Sequence, residues 1–327
     1  MRIAVLDDWQ HIAEEYADWS QLRDRAEIVF FHEPFAGEDD AASALREFDI
    51  ILTMRERTPF PSSLVDSLPN LKMFGMTGSR AKAIDIAGML ERGITVSYTQ
   101  GGESGTDTAE LTLALMMAAA RQVPAGDANI RQGRFQHGIR PGLGLAGRTI
   151  GLVGLGRIGK LMAGYANALG MNVVAWSRNL TPERAEAAGA TAVSREDVFA
   201  SADVVSIHVY LSPETEGLVT KDDIGRMKPG AILVNTSRAP LIDQAALLEA
   251  VQSGRITAAL DVYGKEPLPL NDPLRHAPNT VLTPHIGYGT SDVMETFYRQ
   301  TVENTLAFLD GKPIRTHQPA ASSAAAG

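Results

Sequence analysis

The stretch TIGLVGLGRIG, Thr149 to Gly159, restricts what this chain can fold into more than any other segment. A short apolar run meets three glycines in the spacing G-x-G-x-x-G, at Gly154, Gly156 and Gly159. An apolar-periodic segment follows (Ile158, Met162, Tyr165, Ala166, Leu169) and stops at Gly170, directly before a second β-type run, NVVAWS. The glycine pattern alone is weak; strand, glycine turn, helix and second strand together form the βαβ context it requires. Gly154 permits a tight turn, Gly156 lets backbone approach an anion without a Cβ between them, and Gly159 lets the helix pack close to the strand. The amides of the helix N-terminus, around Arg157 and Ile158, then face a pyrophosphate. The reading is a dinucleotide site built on Gly154, Gly156, Arg157, Ile158 and Gly159; the plainer alternative is a glycine-rich turn that binds nothing.

Short β-type runs alternate with helical patterns along most of the 327 residues, the signature of parallel sheets with crossover helices. RIAVLD, EIVFF, DIILTM, LKMFGM and ITVSY read as strands of a first unit, with helices over EDDAASALREF, PSSLVDSL and AKAIDIAGMLERG. A long helix, about 105–122, leads out of it, and QVPAGDANIRQGRFQHGIRPGLGLAG reads as an irregular, glycine-rich connection. From Arg148 a second series begins: RTIGLVG, NVVAWS, DVVSIHVY, AILVNTS, ITAALDVY and TVLTPH. A last helix, about 291–309, is expected to fold back on the first unit. The fold class is α/β with two Rossmann-like or flavodoxin-like domains, the cofactor domain (103–290) inserted in a discontinuous substrate domain (1–102 and 291–327).

A formal net charge of −9 argues against broad affinity for nucleic acid or acidic membranes. There is no cysteine, hence no disulfide or thiolate chemistry. MRIAVLDDW has no signal-like apolar region, and AELTLALMMAAA is too short to span a bilayer. A cytoplasmic location is the expectation, with the tail QPAASSAAAG disordered.

A carboxylate near the end of the second strand of such a unit holds the adenosine ribose. Here Ser177 and Arg178 stand at that point instead. A carboxylate would repel a ribose phosphate, whereas a hydroxyl and a guanidinium would bind one, so NADP is favoured over NAD. The alternative is that Arg178 is a solvated loop arginine and NAD binds. Beyond the carboxyl ends of three later strands lie Arg238, Glu266 and His285. Such ends are where open α/β sheets bind ligands. A cation to hold a carboxylate or polarise a carbonyl, an imidazole to move a proton and a carboxylate to orient it form a coherent set. Singly, each has a bland reading: Arg238 paired with Asp243, Glu266 in a solvated turn, His285 on a loop carbonyl.

Several motifs in order and spacing carry a resemblance: GLVGLGRIG, HVYLSPETEGLV, MKPGAILVNTSRAPLID, GKEPLP after AALDVY, and TPHIGYGT. The chain resembles the D-isomer-specific 2-hydroxyacid dehydrogenases, along nearly its whole length. The resemblance implies catalytic roles for Arg238, Glu266 and His285, and contact of Asp261 with the nicotinamide carboxamide. Within these motifs His208, Thr215 and Thr236 join the cofactor-facing set. It also implies a homodimer, built in part by the helix around Leu111 to Ala119. Where the family commonly reads like G-V-G-x-D-N-I-D, this chain has Gly78-Ser79-Arg80-Ala81-Lys82-Ala83-Ile84-Asp85, so Ser79 and Arg80 are candidate substrate residues. Arg55 and Arg57, in MRERTPF, are further candidates, for a dianionic substrate or as plain surface arginines. GGESGTDTAE suits a hinge. His11 and Glu15, near Asp7 and Asp8, match no metal-ligand spacing and read as a solvated helix face.

The resulting expectation is hydride transfer between NAD(P)H and the C2 carbonyl of a small 2-oxo acid, glyoxylate or hydroxypyruvate being representative, with no metal. The alternatives are a phosphoglycerate dehydrogenase-like enzyme using NAD, weakened because no regulatory domain follows residue 311, and a nucleotide-sensing protein of corepressor type. The complete Arg238, Glu266 and His285 set favours an enzyme, because fold alone does not decide function.

Overall fold

The computed structural model describes residues 1–79, 81–101 and 105–318. It divides into two compact units, one of Met1–Glu103 with Gly289–Gly327 and one of Ser104–Tyr288.

Five parallel strands make the sheet of the first unit: β1 (Arg2–Val5), β2 (Glu27–Phe30), β3 (Ile50–Thr53), β4 (Met73–Met76) and β5 (Thr95–Tyr98). Their order, β2-β1-β3-β4-β5, reverses beside β1 in the flavodoxin-like manner. β3 and β4 read as continuous apolar runs because they are buried on both faces, whereas β2, at the sheet edge, is only partly buried. Phe60 and Phe74 meet edge to face at 4.8 Å in the core. The helix Ser291–Leu309 returns to this unit and packs on β4 and β5. Its buried amides are satisfied there: Asn304 Nδ2 donates to the Tyr98 carbonyl at 2.9 Å, and Gln300 Oε1 accepts from Gln100 N–H at 2.8 Å.

The sheet of the second unit has seven parallel strands: β6 (Thr149–Val153), β7 (Asn172–Trp176), β8 (Thr191–Ala192), β9 (Val204–Ile207), β10 (Ile232–Asn235), β11 (Thr257–Leu260) and β12 (Thr280–Leu282). The order is β12-β11-β10-β9-β6-β7-β8, so the direction of winding switches at β6. Alternation along the strands feeds two cores. Val153, Val205, Ile207 and Leu233 face one, while Ile150, Leu152, Val204 and Val234 face the other. Helices Arg195–Ser201, Lys221–Arg226 and Gln244–Gln252 contribute to the first core. Helices Thr106–Ala120 and Arg157–Ala168 contribute to the second. The glycine turn after β6 therefore lies at the switch point, where such sheets bind ligands.

Four local expectations are corrected. The segment after Gln122 is not wholly irregular: Val123–Arg131 is a helix, its Pro124 tolerated in the first turn where no intrahelical N–H partner is needed. The helix assigned to AKAIDIAGMLERG begins only at Ile86, because the Asp85 side chain accepts from Gly88 N–H and caps it there. β8 is an additional strand of two residues. Asp7 and Asp8 are not on a solvated face; both are 2% exposed. Asp8 accepts from Ile12 and Ala13 N–H, and His11 stacks on His32 at 3.8 Å, while Glu15 does face solvent.

Among the described residues no helix is long and apolar enough to cross a membrane. Nor does any group of three or more His, Asp or Glu there form a metal-holding cluster. The expected disordered tail falls outside the described residues from position 319 onward, and the expected hinge loses residues 102–104 in the same way.

Candidate active site

The glycine turn is shaped by contacts that leave no room for side chains. Gly154 has φ +99°, and a Cβ on it would lie 2.4 Å from the His208 carbonyl oxygen. A Cβ on Gly159 would lie 2.1 Å from the Gly154 carbonyl oxygen. Those two glycines let the helix Arg157–Ala168 start close against the strand ends. Gly156 differs: a Cβ there would meet nothing within 4 Å. The space beside Gly156 is open, at the N-terminus of a 12-residue helix, as a pyrophosphate requires. These residues fit a dinucleotide. Ile158 is half-buried, and Arg157 is exposed on the helix's first turn.

Ser177, just past β7, uses its Oγ to accept from Leu155 N–H at 2.8 Å, joining the loop after β7 to the glycine turn. Arg178 is exposed, with Nη2 3.5 Å from the Glu214 carbonyl oxygen. His208 follows β9; its Nε2 is 2.9 Å from Ser206 Oγ, and its Nδ1 is buried without a hydrogen-bond partner. Burial drives this imidazole down to about 4, so it is neutral at physiological pH. Thr215 Oγ1 donates to the Tyr210 carbonyl and accepts from Ser212 N–H, each at 2.7 Å, which closes the turn 210–215. Thr236 Oγ1 lies 2.7 Å from Thr112 Oγ1, a buried pair between the end of β10 and the helix Thr106–Ala120.

Beyond β11 and β12 the ionisable residues come together. His285 Nδ1 is 2.5 Å from Glu266 Oε2, with 30% and 32% of the two side chains exposed. Glu266 Oε1 also accepts from Tyr263 N–H at 2.8 Å. Burial works against the Glu266 charge. The hydrogen bond and positive charge of His285, the Tyr263 amide and the field of Arg238 outweigh it and hold the carboxyl below its usual range.

His285 has φ +53°, a left-handed conformation uncommon for a residue with a side chain. Asp261 explains how it is kept. Only 1% exposed, Asp261 accepts from Thr283 Oγ1 at 2.6 Å and from the amides of Ile286 and Gly287 at 2.9 Å. Both its oxygens are thus used on the loop that carries His285, and burial raises its carboxyl above the usual value. Arg238, half-buried, starts the short 3-10 turn Ala239–Leu241 and donates from Nη1 to the Ser237 carbonyl at 2.8 Å. Asp243 serves as the cap of helix Gln244–Gln252, accepting from Ala246 N–H.

In the first unit, Arg55 (φ +57°) follows β3, and its guanidinium lies over Gly78, where a Cβ would be 1.8 Å from Nη1. Ser79 is half-buried beside it in sequence, and Arg80 lies outside the described residues. Arg57 donates to the Asp7 carbonyl at 2.8 Å and sits 4.9 Å over the Trp9 ring. Three further residues carry no signal in the sequence: the buried Asp7, and Lys160 and Arg184, which line a cavity of about 540 Å³ with Arg157 and the glycine turn. A Lys in the first helix turn and an Arg seven residues past Ser177 carry no motif that would have singled them out.

Comparison with known proteins identifies the family. The family model for the D-isomer specific 2-hydroxyacid dehydrogenase NAD binding domain matches residues 113–287. A D-3-phosphoglycerate dehydrogenase of Archaeoglobus fulgidus is 37% identical over 265 residues, 81% of this chain and 50% of that protein. The chain thus spans about half the length of the first such relatives. A glyoxylate reductase of Thermococcus litoralis is 36% identical over 82% of both chains. The crystal structure of a phosphoglycerate oxidoreductase from Vibrio cholerae superposes with a TM-score of 0.88 at 35% identity, covering 95% of this chain and 99% of that one.

Proposed function

Since the chain belongs to the D-isomer specific 2-hydroxyacid dehydrogenase family, we propose that it reduces a small 2-oxo acid of the glyoxylate or hydroxypyruvate type to the D-2-hydroxy acid, with NADPH as the favoured cofactor. The observation that carries this reading is the 2.5 Å pair between His285 Nδ1 and the Glu266 carboxylate, beside Arg238.

When bound, the nicotinamide supplies the hydride that adds to C2 of the 2-oxo acid. His285, with Nδ1 committed to Glu266, has Nε2 left to deliver a proton to the carbonyl oxygen, a step worth about 10²–10⁴ in rate. Glu266, held ionised, orients the ring and stabilises its charged form. The Arg238 guanidinium binds the substrate carboxylate and draws charge toward the carbonyl oxygen. Arg55, Ser79 and Arg80 are carried forward as substrate-binding residues of the first unit. NADPH is favoured over NADH because Ser177 and Arg178 stand where an acid would repel a ribose phosphate.

The proposal includes a cytoplasmic homodimer. Val123 (55% exposed), Ile130 (61%) and Phe135 (67%) give the second unit apolar surface for a partner copy. A second reading, an NAD-dependent phosphoglycerate dehydrogenase-like activity, draws support from the names of the Archaeoglobus and Vibrio proteins.

The test is a panel of glyoxylate, hydroxypyruvate, pyruvate and phosphohydroxypyruvate against NADPH and NADH, with chiral analysis of the product. Fastest NADPH oxidation with the first two and a D-product support the proposal. A preference for phosphohydroxypyruvate with NADH favours the second reading. Cofactor binding without turnover of any 2-oxo acid overturns both and points to a nucleotide-sensing protein.

A further inference from the structure

We propose that the ribose phosphate of NADPH is held by Arg184 and Lys160, with Arg178 in a minor part. This rests on the NADPH preference proposed above and assigns it to different side chains.

The cavity beside the glycine turn has a volume of about 540 Å³ and is bordered by Leu155, Gly156 and three cations, Arg157, Lys160 and Arg184. Among the described residues no carboxylate lines it. Its position follows from the ribose end of the site. Ser177 stands at the end of β7, where the adenosine ribose is recognised, and its Oγ is bound to the amide of Leu155 on the cavity wall. Arg184 lies in the short helix Pro182–Glu186, capped by Thr181, and its Nη1 donates to the Asn179 carbonyl at 2.9 Å. That bond folds the guanidinium back over the loop that carries Ser177. It leaves Arg184 with further N–H groups in a planar fork suited to a phosphate.

Lys160 follows Arg157 by three residues, so the two share a face of the helix Arg157–Ala168. Arg157 borders the cavity at its glycine end, beside Gly156, and Lys160, three residues on, continues the positive row along the same cavity. A ribose phosphate brings about −1.5 to −2 charge at neutral pH and matches two cations. Arg178 is exposed, does not border the cavity, and has its guanidinium toward the Glu214 carbonyl.

The experiment titrates the full chain with NADPH and NADH, following nicotinamide fluorescence, for wild type and for Arg184→Ala, Lys160→Ala and Arg178→Ala. Arg184→Lys tests whether the bidentate fork matters, and thermal melts confirm folding of each variant. Charge-assisted hydrogen bonds lead us to expect roughly 10- to 100-fold weaker NADPH binding for Arg184→Ala and about 10-fold for Lys160→Ala, with NADH changed less than about 3-fold. Arg184→Lys recovers part of the loss. If Arg178→Ala removes the NADPH preference while the other two keep it, the NADPH reading stands and this assignment is overturned. Equal losses for both cofactors in Arg184→Ala and Lys160→Ala would assign them to the pyrophosphate and also overturn it. A wild type that binds NADH as tightly as NADPH refutes the NADPH reading itself.

Discussion

The three glycines of the turn divide into two kinds, and alanine substitution separates them. At Gly159 a Cβ would sit 2.1 Å from the Gly154 carbonyl oxygen, a backbone atom that cannot swing aside. The helix would have to move by roughly 1 Å or the turn would open. Overpacking of this kind costs about 1–3 kcal/mol, and more where backbone must yield. For a unit of this size each kcal/mol lowers Tm by roughly 2–4 °C. At Gly156 a Cβ meets nothing within 4 Å, and its φ of −81° is ordinary for alanine. Gly156→Ala should therefore leave stability unchanged or gain up to about 1 kcal/mol from reduced freedom of the unfolded chain. The methyl group would, however, occupy the space left for a pyrophosphate. Losing one charge-assisted backbone hydrogen bond costs about 1.5–3 kcal/mol, or roughly 10- to 100-fold in affinity. Thermal melts without cofactor and fluorescence titration with NADPH read the two effects separately. Gly159→Ala should lower Tm, and Gly156→Ala should keep Tm and lose affinity. Gly156→Ala with wild-type affinity would refute the assignment of the turn to the dinucleotide.

Two buried groups should give pH dependences of opposite sign. Burial pushes the Asp7 carboxyl from 3.8 up to about 6 against the pull of Thr58 and Arg57, so between those values the folded chain keeps a proton that the unfolded chain has lost. Stability then falls as pH rises through that window, by up to about 3 kcal/mol; Asp7→Asn should remove this slope in urea unfolding between ~pH 4 and ~pH 7, and an unchanged slope would contradict the burial argument. His208, lowered by burial from 6.5 to about 4, contributes stability fully present above 6.5 and lost as pH falls toward 4, again up to about 3 kcal/mol. His208→Gln should flatten that acid limb in the same assay, and an acid limb as steep as the wild type's would count against a neutral, buried imidazole. Asp261→Asn should lower kcat about 10-fold or more by loosening the loop that holds His285, with NADPH affinity changed less than about 3-fold. A loss confined to cofactor affinity would instead mark Asp261 as a nicotinamide contact.

What the sequence made legible follows from how each element is stabilised. β6, the glycine turn and the helix after it were readable because both faces of the strand are buried and the helix has one apolar face, so the pattern is local. β8 was not, because two residues carry no periodicity; it exists through the pairing of Val174 with Thr191 and Ala175 with Ala192. The helix Val123–Arg131 was hidden by Pro124 and Gly126, which read as breakers although a proline in the first turn is harmless. His285, Glu266 and Arg238 could be named from their positions after strands and from the family resemblance. The loop chemistry that fixes His285 could not be named, since Asp261, Thr283 and Gly287 meet only through the fold. Asp7 failed for a similar reason: two aspartates beside a short helix look solvated until the β3 loop, with Arg57 and Thr58, closes over one of them.

In the proposed function His285, oriented by Glu266, delivers the proton in a nicotinamide-dependent reduction. Single-turnover decay of NADPH absorbance with hydroxypyruvate, in wild type, Glu266→Gln and His285→Ala at saturating cofactor, tests it most directly. His285→Ala should be slowed about 10²- to 10⁴-fold and Glu266→Gln by a smaller factor, with NADPH binding intact in both. Near-normal turnover by His285→Ala in cofactor-saturated protein would contradict it.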